Sequence, residues 1–226
     1  MLIQTKSFIR RLRYTVKDTK SLIPDYQIAI SIAGAANTLN TFLQFHTKTE
    51  PLVLSIPQRS NQYASYDLSE DFMQQVSLWG SGGGEPKEYR YLTKDEFLRL
   101  FLTELSPTFY KQGNWYTVDD VRWQVLVTPI PTDKPVFTYL ATFLNKITEA
   151  DPLTTLDQYV MEFIPDSLME ILLYLTASYL IEPLSPEYSR ELHDKFVFYL
   201  REYKLSRGSK EVASGSISYA DPYFSF

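Results

Sequence analysis

The stretch from Ser106 to Ala141, SPTFYKQGNWYTVDDVRWQVLVTPIPTDKPVFTYLA, constrains the fold most, because it reads as a β-meander with a turn signal at every bend. Around Phe109 to Val118 and Val121 to Thr128 the residues are aromatic and β-branched, types that fit a pleated, half-buried surface. Breakers stand where strands must stop: Gly113-Asn114, Asp119-Asp120, and the run from Pro129 to Pro135. The stretch carries no nucleophile, base or metal cluster, and near Pro165 the pattern changes to two helices. The expected fold class is therefore α+β, a helical bundle of about four to five helices with an inserted antiparallel β-sheet or meander and an extended C-terminal arm.

The element boundaries follow from periodicity and punctuation. Helices are expected over residues 5–20, 25–45, 94–105, 168–181 and 186–204, and the β insertion over 52–92 and 109–144. In the second helix Ala33, Gly34, Ala35 and Ala36 are small enough to let another helix approach closely. Thr93 to Glu96 and Ser167 to Glu170 each read as a capping box, and Ser185-Pro186-Glu187 has the cap, proline, acid order of a helix start. Gly80 to Pro86 lacks the Gly-Lys-Ser/Thr ending of a phosphate loop and joins two strand-like segments, so it reads as a hairpin between Gln75–Trp79 and Glu88–Leu92.

Composition enters as a set of exclusions. With 44% apolar and 22% charged residues among 226, the chain has enough apolar surface for one sizeable core, expected as a single domain over 1–205. The absence of cysteine removes disulfides, thiol catalysis and cysteine-based metal sites, and two histidines, His46 and His193, leave little other metal chemistry. No cofactor and no metal is expected. The N-terminus has no apolar run of seven, so no signal peptide is read and a cytoplasmic site of synthesis is expected. Leu168 to Ile181 is too short and too interrupted for a membrane span, which needs about 20 apolar residues, and reads as a buried helix.

Net charge is −5, yet residues 1–20 carry Lys6, Arg10, Arg11, Arg13, Lys17 and Lys20 against one acid, Asp18. Arg10, Arg11 and Arg13 are the candidates for docking to an acidic partner. The competing reading is the solvated face of an amphipathic helix with Phe8, Ile9, Leu12 and Val16 on its other side. At the far end, residues 206–226 read as a Ser/Gly-rich tether closing on aromatic residues, a flexible docking arm with Tyr219, Tyr223, Phe224 and Phe226 as anchors. Seventeen Tyr and fourteen Phe suit broad contacts between subunits, although a Tyr-rich sheet core would explain them equally.

The order of these segments resembles the bacteriophage head-to-tail connector (adaptor, or neck) proteins. That family has a "Y-x-L-P-x-D-F" strand start after a helical pair, and Tyr66-Asp67-Leu68-Ser69-Glu70-Asp71-Phe72 is similar to it, with Ser69 in the proline position. Ser106-Pro107-Thr108-Phe109-Tyr110, Gly113-Asn114, Thr128 to Thr132 and Phe163 to Leu168 follow in the family's order, over roughly residues 20–204. The DDVRWQ segment and the long loop before Phe163 depart from the compact pattern, so contact loops are not carried over by position. The resemblance implies a structural virion protein of the neck between head and tail. Its expected partners are copies of itself in a ring, dodecameric to match the portal, then the portal protein and tail or further ring proteins. DNA passes through the channel without specific binding, and no membrane is involved.

Two other classes stand beside this one. A carboxylate-based hydrolase would use acids such as Asp119, Asp120, Asp157, Glu149 and Asp151, which the sequence scatters over turns and loops rather than gathering. A generic cellular interaction module would share the aromatic surface. The expectation is that the chain is not an enzyme and has no catalytic residue.

Overall fold

In the computed structural model the described residues are 2–55, 62–80, 85–102 and 113–213, and they fall into two units. Residues 40–145 make one, and residues from 1–39 and 146–226 make the other.

The unit of residues 40–145 is built on eight strands: β1 (Thr47–Pro51), β2 (Val53–Leu54), β3 (Ala64–Asp67), β4 (Phe72–Gly80), β5 (Lys87–Tyr91), β6 (Trp115–Asp119), β7 (Gln124–Thr128) and β8 (Val136–Ala141). Their order is β1-β8-β4-β5-β6-β7-β3-β2. Every pairing is antiparallel except β5 with β6, which is parallel and is crossed by helix α3 (Lys94–Leu102), since parallel neighbours cannot be joined by a hairpin. The two strands at the ends of the order, β1 and β2, are separated in the chain by Leu52 alone, so the sheet curls until its edges meet. Leu52 donates its N–H to the Pro135 carbonyl at 2.8 Å and buries its side chain in the interior.

Side-chain alternation fills that interior. Tyr116, Val125, Val127, Phe137, Tyr139 and Ala141 point inward with Tyr66, Phe72, Leu78 and Tyr89. Trp115 and Leu126, one residue out of phase, point outward and are covered by Phe97 of α3. The Thr93–Glu96 capping box forms as its sequence requires: Thr93 N–H donates to Glu96 Oε2 at 3.0 Å and Glu96 N–H to Thr93 Oγ1 at 3.4 Å.

The other unit holds α1 (Leu2–Thr15), the start of α2 (Asp25–Leu43), α4 (Pro152–Tyr159), α5 (Met169–Ile181) and α6 (Pro186–Ala213). Helix α5 is apolar all round, and its burial matches. Leu192, Phe196 and Leu200 of α6 are buried, as are Phe8, Ile9, Leu12 and Val16 on α1 and beyond its end. Helix α1 stops at Thr15 rather than 20 because Lys17 turns left-handed (φ 61°). Asp18 N–H then reaches back to Arg13 O at 2.8 Å and Lys17 N–H to Tyr14 O at 3.1 Å, a Schellman close.

The expected fold class, a helical bundle of about four to five helices with an inserted meander, is corrected; residues 214–226 of the expected arm lie outside the described residues. The described residues contain six α-helices and an eight-stranded, nearly closed mixed sheet. Strands β6 and β7 form the expected hairpin, but β8 does not continue it. The Pro129–Pro135 connection is too long and too poor in donors for a tight turn, β3 occupies the free edge of β7, and β8 pairs instead with β4 and β1. The last helix, expected to end at 204, continues to Ala213, so the first part of the proposed arm is helical. At Ser167 no cap forms: a short 3-10 turn, Asp166–Leu168, leads into α5, and Leu168 occupies the cap position.

Candidate docking surface

The acids available for catalysis have structural partners or stand apart. Asp119, fully buried on β6, accepts from Lys94 Nζ at 2.8 Å and from the Arg122 N–H at 3.2 Å, which ties the β6–β7 turn to α3. Burial opposes its charge, but these donors outweigh burial and hold its pKa below the usual carboxylate value. Asp151 caps α4 by accepting from Thr154 N–H at 3.3 Å, and buried Asp157 accepts from the Thr5 hydroxyl. Asp120 and Glu149 are exposed. Among the described residues no group of three or more His, Asp and Glu side chains is placed to hold a metal.

A third buried, heavily bonded acid, Asp71, belongs to the Tyr66–Phe72 motif. Its carboxylate accepts from Lys48 Nζ, from Ser69 Oγ at 2.7 Å and from the Tyr139 hydroxyl at 2.9 Å. Burial alone would raise its pKa, yet the donors from Lys48, Ser69 and Tyr139 bring it down to about 2. The rest of the motif serves the same corner: Tyr66 and Phe72 enter the interior, Leu68 N–H donates to Trp123 O at 3.0 Å, and the Trp123 indole N–H donates to Ser69 O at 3.1 Å. The motif's chemistry here is strand joining.

A candidate surface for a partner lies on the helical unit. Arg10, Arg11, Tyr14 and Thr15 of α1 face Glu170, Leu173 and Tyr174 of α5 across an open groove of about 400 Å³. Arg11 and Glu170 bridge it with a 2.6 Å ion pair. Behind Tyr174, Tyr199 of α6 stacks on its ring, centroids 5.3 Å apart and 3° from parallel, with Lys195 Nζ 5.7 Å from the Tyr174 ring centroid. Burial, with Glu170 nearby, raises the Tyr174 pKa. Tyr14 is 82% exposed, and Phe198 and Leu205 on α6 are exposed as well.

The three candidate arginines have separate fates. Arg10 is exposed and has no ion pair among the described residues; Arg11 is paired across the groove. Arg13 is committed internally, to buried Asp18 and to Asp25 at 2.6 Å, and does not belong to the docking surface. Tyr219, Tyr223, Phe224 and Phe226 lie outside the described residues. The residues that sequence reasoning missed are Tyr14, Tyr174, Lys195 and Tyr199. A signal existed: Arg10 and Tyr14, Glu170 and Tyr174, and Lys195 and Tyr199 are all i,i+4 pairs of a charge and a tyrosine, which share a helix face.

Neither a scan against protein-family models nor a search of the curated proteins finds a match to this chain. Among the described residues no single helix is long and apolar enough to cross a membrane.

Proposed function

We propose that the chain is a ring-forming head-to-tail connector of a bacteriophage, a structural protein that joins the portal to the tail and extends the DNA channel. The observation that carries the reading is the ordered set of connector-like landmarks, each of which, where described, sits at a junction between elements. Tyr66–Phe72 links β3 to β4, Gly113-Asn114 leads into β6, Thr128–Thr132 follows β7, and Phe163–Leu168 joins α4 to α5. Such junctions set topology, so their order carries more information than any one of them. A second support is the exposed aromatic and cationic groove of the helical unit, because a closed ring needs two different complementary patches on each copy.

The test is to mix the purified chain with its cognate portal and to follow mass by native mass spectrometry and shape by negative-stain electron microscopy. The expected result is a closed ring seated on the portal, formed by the chain alone or only when portal is added. A small fixed oligomer that ignores portal overturns the reading and favours a cellular interaction module.

A further inference from the structure

We infer that adjacent copies in the ring meet through two patches of the helical unit, the outer stripe of α1 on one copy and the segment Tyr159–Asp166 on the next; this rests on the connector reading. Helix α1 buries Thr5, Phe8, Ile9 and Leu12, and Lys6, Arg10 and Tyr14, four residues apart in turn, fall on the side turned away from them. All three are exposed, and neither base has an ion pair among the described residues. The helix carries no acid. Residues 147–189 are the converse, with eight acids and no Lys or Arg. Among them Glu162 and Asp166 are exposed beside two exposed rings, Tyr159 and Phe163. A face that is merely solvated mixes both signs of charge, whereas each of these patches has one sign together with exposed aromatic surface, the composition of a subunit contact.

Geometry decides between the same copy and a neighbour. The acidic segment is already fixed against α1: Gln4 Nε2 donates to Asp166 Oδ1 at 3.0 Å, and the buried Thr5 hydroxyl donates to Asp157 of α4. Arg10 is turned from both Gln4 and Thr5 by about 120° or more around the helix axis, at roughly 100° per residue. The body of α1 therefore stands between the stripe and the segment of its own copy. A second copy supplies what the first cannot, one acidic segment for every basic stripe. Like patches repel, which disfavours α1 against α1. Because the two patches lie on different sides of α1, the contact runs head to tail, the kind that closes into a ring. In it Arg10 faces Glu162, and Tyr14 packs against the Tyr159 and Phe163 rings.

The experiment assembles the full chain on its portal and reads the rings by native mass spectrometry. Arg10→Glu alone and Glu162→Arg alone should each weaken subunit association about fivefold, the scale of one exposed ion pair, since either sets like charges against each other at every contact. Both side chains are exposed, so the free variants should melt with the wild type. Mixed in equal amounts, the two variants should recover assembly, because every contact between unlike subunits again joins opposite charges, and the rings should hold both in equal number. Single variants that assemble like the wild type overturn the contact and leave the connector reading standing. So does a mixture that recovers nothing, which would assign the stripe to portal or DNA, or to a pairing inside one copy if a chain carrying both substitutions recovers. A wild type that forms no ring on portal overturns the connector reading and this contact with it.

Discussion

Lys48, on the edge strand β1, donates to Asp71 at the start of β4, although β8 lies between those two strands in the sheet. Tyr139 of β8, the register partner of Lys48, donates to the same carboxylate at 2.9 Å, so one acid ties three neighbouring strands together. The Asp71 side chain is 4% exposed, which leaves its charge dependent on these donors.

The pH dependence follows. Hydrogen bonds from Lys48, Ser69 and Tyr139 overcome the opposing effect of burial and lower the Asp71 pKa from 3.8 to about 2. The stabilisation is therefore fully present above the unfolded value and is lost as pH falls from about 4 through about 2, on the order of 2 kcal/mol. Urea unfolding followed from pH 6 down to about 2 should show a steeper decline for the wild type than for Asp71→Asn. Equal slopes would mean that Asp71 is not the responsible group.

Arg10 and Arg13 should separate docking from folding. Arg13→Glu places a like charge beside buried Asp18 and should cost about 3 kcal/mol, visible as a large fall in the melting temperature of the free subunit. Arg10→Glu, on an exposed side chain, should change stability by no more than about 0.5 kcal/mol while weakening ring assembly in a salt-dependent way. A fall in melting temperature with Arg10→Glu would place that residue in the fold rather than on a docking surface.

Two glycines should respond in opposite directions. A Cβ at Gly34, inside α2, meets nothing within 4 Å, so the glycine is not needed for the close helix approach that its small neighbours suggest. Gly34→Ala should stabilise by about 1 kcal/mol through helix propensity. A Cβ at Gly113 would lie 2.2 Å from the Trp115 ring, so Gly113→Ala must displace a tryptophan that α3 covers and should cost about 1–3 kcal/mol. Chemical denaturation of both variants reads the signs, and a destabilising Gly34→Ala would sink the first half.

The local pattern was legible where it repeats along one strand or helix. Tyr116 and Val118, Val125 and Val127 alternate with outward Trp115 and Leu126, so β6 and β7 announce themselves. Closure was not legible, because it depends on pairings such as Tyr66 with Val125 and Thr49 with Thr138, which join segments far apart in the chain. Strand β1, TKTEP, looks like a loop since an edge strand carries charge and proline to discourage further pairing. The groove was half legible. Its i,i+4 pairs are visible on each helix, but nothing in the sequence says that the α1 and α5 faces meet across it.

The acids of the hydrolase reading provide the remaining prediction. Asp119→Asn leaves Lys94 without its buried counter-charge and should cost about 1–3 kcal/mol, whereas Asp120→Asn and Glu149→Gln, on exposed side chains, should change stability by less than about 0.5 kcal/mol. Asp151→Asn retains an oxygen able to cap α4 and should fall close to the exposed pair. This ranking, by burial and bonding, is the one expected of acids that hold turns together. A catalytic carboxylate would give the reverse: an amide replacement that leaves the melting curve in place and removes a hydrolytic activity of the purified protein. Thermal melts and a hydrolase substrate panel on the same four variants distinguish the two, and one variant with unchanged stability and abolished turnover would move the chain into the enzyme class.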